Sequence, residues 1–213
     1  FMSKEIFEQP STVKNCLNET GLCFLMAPLY HTAMKNVAKV RNHLKIKTIF
    51  NILGPLINPA NADRQLIGVY EKKLMLPMAE TLKKLGVKKA WIVSGQDGLD
   101  EITISTNTLV VEVNKKKIRK FTIYPERLGI RKAPIEKIKG KDAKFNAKEI
   151  MKLLMYKNYN PYFKKIVILN ASACLVIANK VKSLEEGMKI ANKSLINGKA
   201  LTKLKDLISA SNE

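Results

Sequence analysis

Two spacings of apolar residues alternate along the chain, one helical and one strand-like. Val13 and Leu17 stand four apart between Pro10 and Gly21, with Ser11 placed as an N-cap and Gly21 as a stop, which predicts a short helix. CFLMA (Cys23–Ala27) is a continuous apolar run closed by Pro28, the pattern of a strand buried on both faces. Met34, Val37, Val40 and Leu44 recur at spacings of three and four, so residues 33–44 read as an amphipathic helix with Arg41 on its edge or polar face. The segment TIFNILGPLINP then reads as a loop beside the core, and Gln65–Tyr70 as another short apolar run. A helix over Leu74–Leu85 stopped by Gly86, a strand over Lys89–Val93 and a turn at Gly95–Gly98 continue a strand–helix–strand order.

From residue 101 the pattern changes. ITISTNTLVVEV and KIRKFTIY are rich in β-branched residues around a polar turn at Asn114–Lys117, which predicts an antiparallel hairpin. After a linker at 124–141, helices are expected over Asn146–Tyr156, Pro161–Lys180, Leu184–Ile196 and Leu201–Ser209. Ser183 and Glu186 form a capping box for the third of these, and Gly198 follows its end. The expected fold is α/β: a mostly parallel central sheet flanked by helices, with a small antiparallel hairpin.

Composition narrows the class. With 213 residues, 46% of them hydrophobic and 26% charged, the chain buries a sizeable core, and a single α/β domain over residues 1–213 is expected. No apolar run reaches the ~18–20 residues that span a membrane, and FMSKEIFEQP has neither the basic start nor the apolar stretch of a secretion signal. Three cysteines without a C-x-x-C pair make a disulfide framework or a cysteine-rich zinc site improbable and fit a reducing cytoplasm. The net charge is +20, and half of that excess lies in residues 111–157. Such a field suits nucleic acid, anionic lipid or a small anionic substrate. Only five of the 38 bases are arginine, however, and planar phosphate recognition favours arginine, so most lysines read as a solvated surface.

Three places have candidate chemistry. In SGQDGLDE the adjacent acids Asp100 and Glu101 follow a strand and a glycine turn, at the strand end where α/β sheets bind ligands. One or two carboxylates suffice for Mg²⁺ when substrate phosphates and water complete its shell, and a solvated acidic turn is the alternative. Arg41 lies in a basic stretch and offers a fork for a carboxylate, or simply a solvated helix face. His31 stands where a strand hands over to a helix, a position suited to ligand contact or to a structural role. No glycine-rich phosphate loop and no nucleophile elbow occur.

Read together, Phe24–Tyr70, DGLDEI (Asp97–Ile102) and SLEEGMKIA (Ser183–Ala191) closely resemble the anthranilate phosphoribosyltransferase family. The run through Asn51–Leu56 and Asn58-Pro59 is the most specific part of the likeness. The resemblance implies transfer of 5-phosphoribosyl from phosphoribosyl pyrophosphate to the amine of anthranilate, a step of tryptophan biosynthesis that releases pyrophosphate. It implies Mg²⁺ at Asp100 and Glu101, and an anthranilate channel lined by His31, Arg41, Ala27, Pro28, Met34, Gly54 and Pro55. It also implies a homodimer for the full-length enzyme and, in some members, an amidotransferase partner or fusion. The family's Gly-Thr-Gly-Gly-Asp and Lys-His-Gly-Asn segments and its helical bundle are not among these residues, so the chain alone is expected to be inactive. Phe1 before Met2 fits a chain that begins inside a longer one. Two other readings remain: a pyrimidine nucleoside phosphorylase of the same fold, and a nucleic-acid-binding paralogue using the Lys-rich region.

Overall fold

The computed structural model describes residues 10–25, 54, 56, 58, 60–115 and 117–212. Contacts divide the chain into two compact units, residues 1–59 with 198–213, and residues 60–197.

In the first unit, helix α1 spans Pro10–Thr20, so Ser11 stands inside the helix and not ahead of it. Gly21 ends it with a left-handed φ of 69°, its N–H donating to Leu17 O at 2.9 Å. The last helix of the chain, α6 (Lys199–Asn212), packs against α1, and Cys16, Leu207 and Ala210 are buried together with Cys23 against them. Residues 23–25, the described part of the expected strand CFLMA, have no regular structure. The expected helix over residues 33–44 lies outside the described residues.

The second unit is built on a four-stranded sheet in the order β1-β2-β3-β4. Its strands are β1 (Arg64–Gly68), β2 (Lys89–Gly95), β3 (Thr108–Asn114) and β4 (Lys117–Ile123). Helix α2 (Met75–Lys84) connects β1 to β2, which therefore pair in parallel with Leu66 opposite Trp91. No helix lies between β2 and β3. The chain turns back over residues 96–107, Gln96 N–H donating to Asn107 O at 3.0 Å, and β3 returns antiparallel to β2. The hairpin β3–β4 pairs Asn114 with Lys117, as the β-branched pattern and polar turn predict. Among the described residues the sheet is therefore mixed, with the α/β layering and the hairpin as expected and strand ITISTN replaced by loop.

Alternation along β2 separates two buried faces. Trp91 and Val93 join a core with Ile102, Ile104, Val110, Ile123 and residues of helix α4 (Pro161–Ile177), including Ile166, Leu169 and Ala173. Ala90 and Ile92, on the other face, are fully buried where α2 packs across β2 and β3. Helix α3 (Ala143–Leu154) is capped by Asp142, whose carboxylate accepts from Phe145 N–H at 2.7 Å. Helix α5 (Leu184–Ile196) lies on α4 at a close crossing, where a Cβ on Gly187 would stand 2.8 Å from Ser172 Cβ. The capping box appears in altered form. Ser183 Oγ accepts from Glu186 N–H at 3.2 Å, while Glu186 Oε2 accepts from Lys182 N–H and not from the cap residue.

Two cations close the carboxyl end of α4. Arg64 donates to Ile177 O at 3.1 Å, and Lys89 Nζ donates to Val176 O at 2.8 Å and to Asn179 Oδ1 at 3.0 Å. The helix end carries partial negative charge, which positive groups from the first residues of β1 and β2 complement, and Val176 O accepts from Asn179 N–H at 3.1 Å as well. Burial nonetheless pushes the Lys89 ammonium below its ordinary range. Among the described residues no helix is long and apolar enough to cross a membrane.

Candidate functional site

The carboxyl end of β2 runs into a tight turn. Gly95 N–H donates to Leu99 O at 2.8 Å and Gly98 N–H to Gly95 O at 3.1 Å, with Gly98 in the left-handed region at φ 89°. The turn presents Asp100 and Glu101 side by side to solvent. Immediately after them the chain dives into the core, with Ile102, Thr103 and Ile104 fully buried. That abrupt change from exposed acid to buried apolar residue fixes where the pair must sit.

Three contacts hold the turn. From α4, Asn170 uses its whole amide: Oδ1 accepts from Ile102 N–H at 3.0 Å, and Nδ2 donates to Ile102 O at 2.8 Å and to Ile166 O at 3.0 Å. Below the turn, Asp97 Oδ1 accepts from Leu99 N–H at 3.1 Å, and its Oδ2 accepts from Thr103 Oγ1 at 2.7 Å and from the Ser105 hydroxyl. At the end of β1, Gly68 lies against the Asp100 backbone so closely that a Cβ there would stand 2.5 Å from its carbonyl carbon. Gly95 is crowded too, since its Cβ would stand 3.1 Å from Leu99 O and overlap the Asp97 carboxylate, a side chain and not backbone.

The electrostatics distinguish the three acids. Partial burial, followed by the neighbouring charge of Asp100, holds the Glu101 carboxyl above its ordinary range. For Asp97, burial is the largest influence and acts upward, but the Ser105, Thr103 and Leu99 donors together outweigh it and leave the carboxyl below its ordinary value. Asp97 is thus an internal anion with its own donors. Asp100 and Glu101 are adjacent exposed carboxylates, a donor set suited to a hard divalent cation shared with phosphate oxygens and water. Among the described residues no group of three or more His, Cys, Asp or Glu side chains gathers into a metal cage, so a cation here would depend on its ligand for the remaining donors.

Of the other residues expected to line a site, Gly54 is helical and half-buried, with open space where a Cβ would project. Ala27, Pro28, His31, Met34, Arg41 and Pro55 lie outside the described residues. Asp97 falls inside the turn expected at Gly95–Gly98, but sequence reasoning assigned no role in bracing it to the Asp97 side chain or to Gly68, Thr103, Ser105 and Asn170. For Asp97 a signal was present, since Asp-Gly favours a side chain that bonds its own backbone two residues on. For Gly68 and Asn170 there was none.

A sheet with helices on both faces defines an α/β protein, and the paired carboxylates stand beyond a strand end, where proteins of that class commonly take ligands. Residues 2–201 match the sequence pattern of the glycosyl transferase family, a/b domain, and the chain belongs to that family. It is 47% identical over 199 residues to an anthranilate phosphoribosyltransferase of Thermoanaerobacter sp. (strain X514), covering 93% of this chain and 58% of the relative. Against another from Clostridium beijerinckii it is 47% identical over 196 residues, covering 92% and 57%. The chain thus spans about three fifths of the length of the curated relatives it matches. Among solved structures it resembles anthranilate phosphoribosyltransferase from Thermus thermophilus, with a TM-score of 0.88, 36% identity and coverage of 98% of this chain and 61% of that one. It also resembles the Saccharomyces cerevisiae enzyme in complex with PRPP and Mg, with a TM-score of 0.88, 27% identity and coverage of 97% and 59%.

Proposed function

We propose that this chain is the α/β portion of an anthranilate phosphoribosyltransferase, in which Asp100 and Glu101 hold Mg²⁺ on the pyrophosphate of phosphoribosyl pyrophosphate. The observation that carries this reading is the exposed acidic pair on a braced turn at the end of β2. Relatives of that name at 47% identity support the substrate choice. The reaction moves a phosphoribosyl group onto an aromatic amine, and the departing pyrophosphate gains negative charge as its bond to the sugar breaks. Mg²⁺, when bound, supplies positive charge that neutralises this leaving group.

The protein's own residues then position and orient. Asp100 and Glu101 offer carboxylate oxygens from a turn that its hydrogen bonds prevent from splaying. Arg41 holds the anthranilate carboxylate in a bidentate pair, and His31, Met34, Ala27, Pro28, Gly54 and Pro55 line the channel for its ring. The +20 field favours the approach of two anionic substrates. A cytoplasmic, homodimeric whole protein, with an amidotransferase partner or fusion in some settings, belongs to the same reading.

Binding separates the roles. Calorimetric titration of the chain with phosphoribosyl pyrophosphate is expected to show Mg²⁺-dependent binding that Asp100→Asn abolishes. Arg41→Ala is expected to weaken anthranilate binding, followed by its fluorescence, at least about tenfold, the loss of a charge-assisted bidentate pair. Phosphoribosyl pyrophosphate binding that is indifferent to both Mg²⁺ and Asp100 would overturn the reading.

A further inference from the structure

Two carboxylates side by side repel, and in the absence of a cation nothing between them opposes separation. The backbone must therefore hold them together. The residues immediately flanking the pair are Leu99 before it and Ile102 after it, with Thr103 next. One side chain reaches across both flanks: Asp97 accepts from Leu99 N–H at 3.1 Å on one oxygen, and from Thr103 Oγ1 at 2.7 Å and the Ser105 hydroxyl on the other. The residues whose hydroxyls donate to Asp97 are themselves tied down, with Ser105 N–H donating to Thr103 Oγ1 at 3.0 Å and Thr103 N–H to Thr108 Oγ1 at 3.0 Å, at the first residue of β3.

We propose that Asp97 is the positioning residue of the acidic pair, its carboxylate stapling the turn closed beneath Asp100 and Glu101 so that both reach one cation. The inference rests on the reading of that pair as a Mg²⁺–pyrophosphate site. With three donors on its two oxygens Asp97 is committed inward, which distinguishes it from its two exposed neighbours as a holder and not a ligand. Thr103 and Ser105 are its working partners, and through Thr108 the staple is anchored to the sheet. Asn170 secures only the Ile102 side, so it does not replace a bond to Leu99.

The test uses Mn²⁺ as a paramagnetic substitute for Mg²⁺. Free Mn²⁺ is measured by electron paramagnetic resonance in the presence of inorganic pyrophosphate and the 213-residue chain, alongside thermal melts. Asp97→Ala and Thr103→Val are expected to weaken Mn²⁺ affinity at least about tenfold, as loss of the partners that orient metal ligands does elsewhere. Thr103→Ser keeps the hydroxyl and is expected to keep the affinity. Leu153→Ala, a core truncation on α3, is expected to lower the melting temperature without changing Mn²⁺ affinity. Should Asp97→Ala fail to fold, the Thr103→Val and Thr103→Ser pair decides the matter. Wild-type affinity in Asp97→Ala or, failing its folding, in Thr103→Val, with affinity lost in Asp100→Asn, would overturn the staple and leave the metal reading intact. An equal loss in Leu153→Ala would reduce the effect to general stability and overturn it too. If Asp100→Asn binds Mn²⁺ as the wild type does, the metal reading fails and this inference fails with it.

Discussion

Gly68 at the end of β1 lies against the backbone of Asp100, and a Cβ added to it would stand 3.3 Å from Asp100 Cα and 2.5 Å from its carbonyl carbon. A parallel strand and the acidic turn that follows its neighbour thus meet without room for a side chain. Glycine is needed here for close approach, not for a special backbone angle.

Gly68→Ala forces the turn to move, because the obstacle is backbone and cannot rotate away. Overpacking of this kind costs about 1–3 kcal/mol. The expected outcome is a chain that still folds, with a lower urea midpoint, and that loses Mg²⁺-dependent binding of pyrophosphate. Denaturant melts and calorimetry on the same preparation check both halves.

Glu101 predicts a pH-dependent gain. Its carboxyl is raised, by burial first and then by Asp100, so the folded chain holds that proton more tightly than the unfolded chain does. The stability this provides is fully present below the ordinary glutamate range and is lost as pH rises through the raised value. At neutral pH the ionised side chain therefore opposes folding, and Glu101→Gln is expected to melt higher than the wild type. The difference should shrink to nothing in acid, which paired melting curves at about pH 7 and below about pH 4 will show.

Glu112 is buried in β3 and binds two partners, accepting from Trp91 Nε1 at 2.9 Å and pairing with Arg119 at 3.2 Å. Trp91 in turn meets Phe121 edge-on at 5.2 Å between ring centroids. Glu112→Ala strands the buried indole N–H, at an expected cost of about 1–3 kcal/mol, whereas Glu112→Gln keeps an acceptor and loses less. Trp91 is the chain's one tryptophan, so its fluorescence reports both the altered contact and the unfolding transition.

Ser183→Ala removes the side chain that accepts from Glu186 N–H at the start of α5. About 1 kcal/mol of stability is expected to go with it. Because Ser183 accepts from Glu186 N–H and the Glu186 carboxylate accepts from the adjoining Lys182 N–H, both belong to one cap, and Glu186→Ala is expected to act non-additively with Ser183→Ala. A double-mutant comparison of urea midpoints measures this.

What the sequence determined by itself is what neighbouring residues settle among themselves. The β3–β4 hairpin follows from β-branched runs around a polar turn, α5 runs over Leu184–Ile196 as its cap and glycine stop predict, and the acidic pair falls after a strand and a glycine turn. Each depends on interactions spanning a few residues, so the pattern is local and readable. Local propensity misled at ITISTN, where β-branched residues suggest a strand. There the hydroxyls of Thr103 and Ser105 bond to Asp97, and Ile102 and Ile104 fill the core beside α4, so the segment is a buried loop. Tertiary structure alone decided that Asn170, 68 residues further on, grips Ile102, and that Gly68 leaves space for Asp100. Such contacts depend on where the folded backbone brings distant segments, and no spacing within either segment encodes the meeting. The candidate site is therefore legible as a pair of acids, while the bracing that makes them a site belongs to the fold.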